Sequence, residues 1–103
     1  MDQHELLVRI GQAGDEGWST LDFSRVYPGA PLEYLPPEIG NLTGLTKLNL
    51  SYNQLTALPP EVGNLTGLEL LFLENNQMTA LPSEMTRLIN QGVVRLSGNP
   101  LRG

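Results

Sequence analysis

Apolar side chains recur along this chain in a fixed rhythm. Residues 35–57 place them at Leu35, Ile39, Leu42, Leu45, Leu48, Leu50 and Leu55, with polar or small residues between. Residues 58–80 repeat the pattern at Leu58, Val62, Leu65, Leu68, Leu71, Leu73 and Met78. The two stretches, LPPEIGNLTGLTKLNLSYNQLTA and LPPEVGNLTGLELLFLENNQMTA, agree at 16 of 23 positions without a gap. Residues 81–103, LPSEMTRLINQGVVRLSGNPLRG, keep the length with six identities to the second copy. A weaker unit comes first: Gly17-Trp18-Ser19-Thr20-Leu21-Asp22-Phe23-Ser24 aligns with the stretch from Gly44 to Ser51. Val26 to Pro31 then holds four extra residues before Leu32 and Leu35 recover the register of Leu55 and Leu58. Pro28, Gly29 and Pro31 suit a turn-rich bulge there.

Two periods coexist in each unit. The alternation Leu48-Asn49-Leu50 predicts a short strand with leucines on one face. One such strand cannot bury that face alone, so successive units stack as a parallel sheet with strands about 4.8 Å apart. The Pro-Glu-Ile/Val-Gly-Asn-Leu stretch returns the chain on the opposite, convex side. Prolines 36, 37, 59, 60 and 82 fit the first turn of short helical or 3₁₀ segments. Glu38, Glu61 and Glu84 should line up there as an acidic row, favourable near a short helix start. Asn53, Asn76 and Asn99 fall where the chain leaves each strand, and an amide side chain there can satisfy main-chain groups turned into the core. The first unit has Val26 at this position.

The ends differ. Asp2-Gln3-His4-Glu5 has the form of a capping box, and Leu6, Ile10 and Ala13 share one helical face. This predicts a capping helix over residues 3–14, ending near Gly14. The last unit replaces an inward leucine with Gln91 and has Met85 and Val94 at other apolar positions. Leu96, Leu101 and the strand edge around Val93–Arg95 would then face water, which folded proteins usually avoid. Three explanations compete: a fragment of a longer protein, pairing through that edge, or a frayed final unit. The expected organisation is a single domain over 1–103. It comprises a capping segment (1–17), a degenerate first repeat with an inserted loop (18–34), and three repeats at 35–57, 58–80 and 81–103.

The spacing L-x-x-L-x-L-x-x-N-x-L, at Leu45, Leu48, Leu50, Asn53, Leu55 and again at Leu68, Leu71, Leu73, Asn76, Met78, resembles the leucine-rich repeat over about residues 17–103. The 23-residue form beginning L-P-x-x-I is similar to repeats of bacterial proteins and of Ras-group leucine-rich-repeat proteins. The opening, from Leu6-Leu7-Val8-Arg9-Ile10 through Glu16-Gly17-Trp18 to Ser24, resembles bacterial members, some of which carry a Roc-type GTPase. No GxxxxGK[ST] occurs in this chain. The resemblance implies an α/β solenoid with about four parallel strands, an irregular or 3₁₀ convex side and a role in protein interaction.

Composition narrows the chemistry. The chain has 103 residues, no cysteine and one histidine, which removes disulfides, thiolate zinc sites and cysteine nucleophiles. Ser24, Ser51 and Ser97 have no histidine near in sequence to serve as base. Eleven acidic against six basic side chains argue against phosphate-backbone binding, and no apolar run approaches a bilayer span. The expectation is a cytoplasmic, non-catalytic module without metal or cofactor, and without nucleic-acid or membrane partners.

Alternate strand residues point to the concave face, in rows Thr20/Asp22/Ser24, Lys47/Asn49/Ser51, Leu70/Phe72/Glu74 and Val93/Arg95/Ser97. Leu70, Phe72 and Val93 break the polar character of that face. With Lys47, Glu74 and Arg95 as rim and Tyr52 near the strand exit, they have the anatomy of a protein interface. The candidate protein-binding residues are therefore Lys47, Tyr52, Leu70, Phe72, Glu74, Val93 and Arg95. The alternatives are a self-assembly module dimerising through the C-terminal edge, or the N-terminal recognition part of a larger signalling protein.

Overall fold

The computed structural model describes residues 3–24 and 31–101. Helix α1 (Gln3–Glu16) leads into β1 (Thr20–Asp22), β2 (Lys47–Asn49) and β3 (Leu70–Phe72), followed by α2 (Thr86–Asn90) and β4 (Val94–Arg95). The strands form one sheet in the order β1-β2-β3-β4, every pair parallel. Leu21, Leu48, Leu71 and Val94 stand in register across it. Between β2 and β3 the offset is the 23-residue repeat itself, so the period of the sequence becomes a lateral strand spacing.

Main-chain bonds tie each unit to the next well beyond the strands. Leu50 N–H donates to Phe72 O, Tyr52 N–H to Glu74 O, Leu73 N–H to Arg95 O and Asn75 N–H to Ser97 O, all at 2.8–2.9 Å. On the convex side, 3₁₀ turns Pro37–Asn41 and Pro60–Asn64 each follow an extended proline. The missing proline N–H is no loss where the first turn has no acceptor for it. Leu35, Ile39, Leu42, Leu45, Leu48, Leu50 and Leu55 are buried, as are their equivalents Leu58 to Met78. Burying one such leucine contributes about 1.5–3 kcal/mol.

Neighbouring convex turns come close enough to dictate glycine. A Cβ on Gly40 would stand 2.8 Å from Glu61 O, and one on Gly63 2.5 Å from Glu84 O. The equivalent position of the last unit is Thr86, exposed, with its hydroxyl donating to Ser83 O. Glycine is thus present where a further turn presses on the main chain. The convex side of the last unit differs from the two before it: Ser83–Met85 is 3₁₀ but runs on into α2. Leu88 is buried there, while Gln91, which replaces a leucine, is exposed.

Helix α1 buries Leu6, Ile10 and Ala13 as expected but extends past Gly14 to Glu16. The stop comes at Gly17, whose φ is +67°. Trp18 N–H returns to Ala13 O and Gly17 N–H to Gly14 O, the paired bonds of a Schellman ending. Gly14 tolerates helix, whereas Gly17 supplies the left-handed turn. The Arg9 guanidinium lies 5.5 Å over the Phe23 ring, adding a cationic cover to the first strand. Asp2 of the expected capping box and Val26 lie outside the described residues.

Candidate protein-binding face

The concave rows follow from strand register: Lys47 pairs with Thr20 and Leu70, and Asn49 with Asp22 and Phe72. Their chemistry changes from one edge to the other. Asp22 Oδ1 accepts from the Ser24 N–H (2.8 Å) and hydroxyl (2.6 Å). Asn49 Oδ1 does the same for Ser51, at 3.0 and 2.5 Å. In the first two units the polar face therefore bonds to itself, and Ser51 is buried in doing so. The third unit carries Phe72 and Glu74 at these positions and has no such bond. Leu70, Phe72 and Glu74 are each half-buried, and Lys47 and Arg95 are exposed.

Val93 does not join this surface. It is only 6% exposed and belongs to the buried cluster. Arg95 shares its face two residues on, and Arg95 Nη1 donates to Gly92 O at 2.8 Å. The Arg95 side chain therefore folds back toward the start of its own strand. The apolar centre reduces to Leu70 and Phe72.

Tyr52 is 62% exposed with φ +58°, a left-handed conformation in which a bulky residue is strained. Asn75 has φ +60° and Gly98 +80°, so the same turn recurs every 23 residues. The series Tyr, Asn, Gly at 52, 75 and 98 is a sequence signal for it that the leucine spacing does not reveal. A Cβ on Gly98 would also run into the Asn75 side-chain oxygen.

The asparagine column lies beneath this face. Asn76 Oδ1 accepts from Leu55 N–H (3.0 Å), while its Nδ2 donates to Leu50 O (2.9 Å) and Leu73 O (3.0 Å). Asn53 makes the matching bonds to Leu32 N–H, Phe23 O and Leu50 O, and Asn99 to Met78 N–H, Leu73 O and Leu96 O. Each amide joins its own turn to the preceding unit. Asn53 reaches 30 residues back to Phe23 where Asn76 reaches 26 to Leu50, and the four-residue difference is the insertion read from the sequence.

Among the described residues no cluster of three or more His, Asp or Glu side chains could hold a metal ion. No helix among them is long and apolar enough to cross a membrane. A shallow notch of about 230 Å³, lined by Leu7, Gly11 and Gly14 of α1 with Glu38 and Leu42, lies away from the concave face.

Strands of one register, 3₁₀ returns and an asparagine column define a leucine-rich-repeat solenoid. Residues 39–86 match the family model of leucine-rich repeats (two copies), and the chain is a leucine-rich-repeat protein. A solved leucine-rich-repeat protein of Leptospira interrogans matches at TM-score 0.67 and 38% identity, over 82% of this chain and 20% of that one. The chain thus spans about a fifth of that protein's length. Comparison with curated proteins gives no match. Repeat modules of this type are commonly used for protein interaction and are generally non-catalytic.

Proposed function

We propose that the chain is a non-catalytic protein-interaction module that receives its partner on the concave face. The observation that carries this is the half-buried pair Leu70 and Phe72, placed where the first two units carry Thr20, Asp22, Lys47 and Asn49. The fold needs no apolar side chain at those positions, because the leucines between them already fill the core. Lys47, Glu74 and Arg95 supply a charged rim that sets orientation. Tyr52 is an aromatic anchor at its edge, and its strained backbone supports that role, since such outliers concentrate at functional positions.

The test is affinity capture from a cell lysate on immobilised chain. Phe72→Asp should abolish capture, while the convex-side control Asn64→Asp retains it and both keep the wild-type circular dichroism spectrum. Equal capture by wild type and Phe72→Asp would remove the proposal. A second reading, self-assembly through the last strand, draws on the half-buried Val94 and Leu96. Light scattering across a concentration series tests it, and a monomer throughout would end it.

A further inference from the structure

The pattern of charge beside Leu70 and Phe72 carries the concave-face reading one step further, to the chemistry of the partner, and the inference rests on that reading. Of 17 charged side chains in the sequence only six are basic, yet among the described residues the two that occupy the concave face flank its apolar pair. Lys47 stands in register with Leu70 on one side, and Arg95 with Phe72 on the other. The bond from Arg95 Nη1 to Gly92 O turns its guanidinium toward the start of the strand, into the row of Lys47 and Leu70. The two cations therefore approach Leu70 from opposite neighbours, with their backbones about 10 Å apart across the sheet and two residues apart along it. Both side chains are long enough to converge on one group above Leu70.

Of the nearby acids, the exposed Glu69 precedes Leu70 and makes no ion pair with Lys47 or Arg95 among the described residues. Asp22 is committed to Ser24 on the far strand, and Glu74 follows β3 at its opposite end. Among the described residues Arg95 bonds a main-chain carbonyl, and neither it nor Lys47 meets a carboxylate. Phe72 extends the apolar floor by one step along the strand. We infer that this face receives an acidic-apolar protein segment, with a carboxylate held between Lys47 and Arg95 above Leu70 and the adjoining bulky apolar side chain laid on Phe72. Charge-assisted hydrogen bonds are the strong ones, and the apolar floor lowers the local dielectric that would weaken them. A basic segment would meet two like charges there instead.

Two immobilised synthetic peptide pools of equal apolar content test this, one with glutamate and the other with lysine beside each bulky apolar residue. The wild-type chain should bind the glutamate pool at least about tenfold more tightly at low salt, and the preference should shrink several-fold at about 0.5 M salt. Lys47→Glu with Arg95→Glu should reverse the preference, and the milder pair Lys47→Gln with Arg95→Gln should erase it, with circular dichroism unchanged. Equal binding of the pools, binding of neither, or a lysine preference in the wild type overturns the inference. Lysate capture separates the two levels. Loss on Phe72→Asp with no effect of charge reversal leaves the docking face standing and removes the acidic partner; capture indifferent to Phe72→Asp removes the face itself.

Discussion

At its front the solenoid buries Leu6, Ile10 and Ala13 of α1 in the core cluster, each at most 3% exposed. At its rear Leu81, Val94 and Leu96 remain half-buried, and Ile89 and Leu101 are 41% and 38% exposed. The core column of Leu21, Leu48, Leu71 and Val94 runs through both ends, and what differs is the neighbour. Leu48 and Leu71 are fully buried because a strand pairs on each side of them, while Val94, in register with both, has β3 alone among the described residues. The same gradient runs through the amides: Asn53 and Asn76 are buried, Asn99 half-buried. It runs through the convex glycines too, since Gly40 and Gly63 give way to Thr86 where no described turn follows. Stability in such an array is a property of contacts between units, and the three series measure it position by position.

Substitution at the shared core column should expose the difference most strongly. Leu48→Ala removes a fully enclosed side chain flanked by strands, and the expected loss is about 3 kcal/mol. Val94→Ala, at the same column but half open to water, should lose about 1 kcal/mol or less, since its surroundings can relax and solvent already reaches them. Urea unfolding followed by circular dichroism gives both values. Losses of equal size would mean that the rear is as well shielded in solution as the interior.

The amide column gives a second, smaller contrast. Asn76→Ala leaves Leu55 N–H and the carbonyls of Leu50 and Leu73 without their side-chain partner inside the core, at an expected loss of about 2–3 kcal/mol. Asn99→Ala frees comparable groups at the half-exposed end, where water replaces the amide, and should lose about 1 kcal/mol. Hydrogen exchange at Leu55 and Met78 reads the same contrast locally. Faster exchange confined to Met78 in both variants would contradict it.

How much of this was legible beforehand depended on whether a position obeys the 23-residue period or responds to its neighbours in space. Leu48, Asn76 and the 3₁₀ prolines are local consequences of the repeat, so spacing placed them correctly. The burial of Val93 was not legible, because alternation puts it on the concave face whereas it packs in the buried cluster. Nor was the reason for Gly40 and Gly63, which lies in the main chain of the next unit. Helix α1 runs past the end expected at Gly14, because the left-handed residue that stops it is Gly17. On the concave face the apolar character of Leu70 and Phe72 was visible in the sequence. The bonding of Asp22 to Ser24 and of Asn49 to Ser51, which the third row lacks, required the geometry.

Tyr52 offers the smallest effect and the sharpest sign, because improving the fold there should harm the proposed function. Its φ of +58° matches Asn75 at +60° one unit later, and Asn occupies that region with less strain than an aromatic residue. The Tyr52 N–H bond to Glu74 O belongs to the main chain and survives substitution, while the ring, mostly in water, loses little burial. Tyr52→Asn should therefore raise stability by about 0.5–1 kcal/mol, a shift of roughly 2–6 °C in Tm for a domain of this size. The reciprocal change, Asn75→Tyr, should lower it by a similar amount. If the ring anchors a partner, the stabilised Tyr52→Asn variant should also capture less of it from lysate. Stability unchanged in both directions would show that the turn carries no strain, and the aromatic at its tip would lose the argument that its conformation is kept for contact.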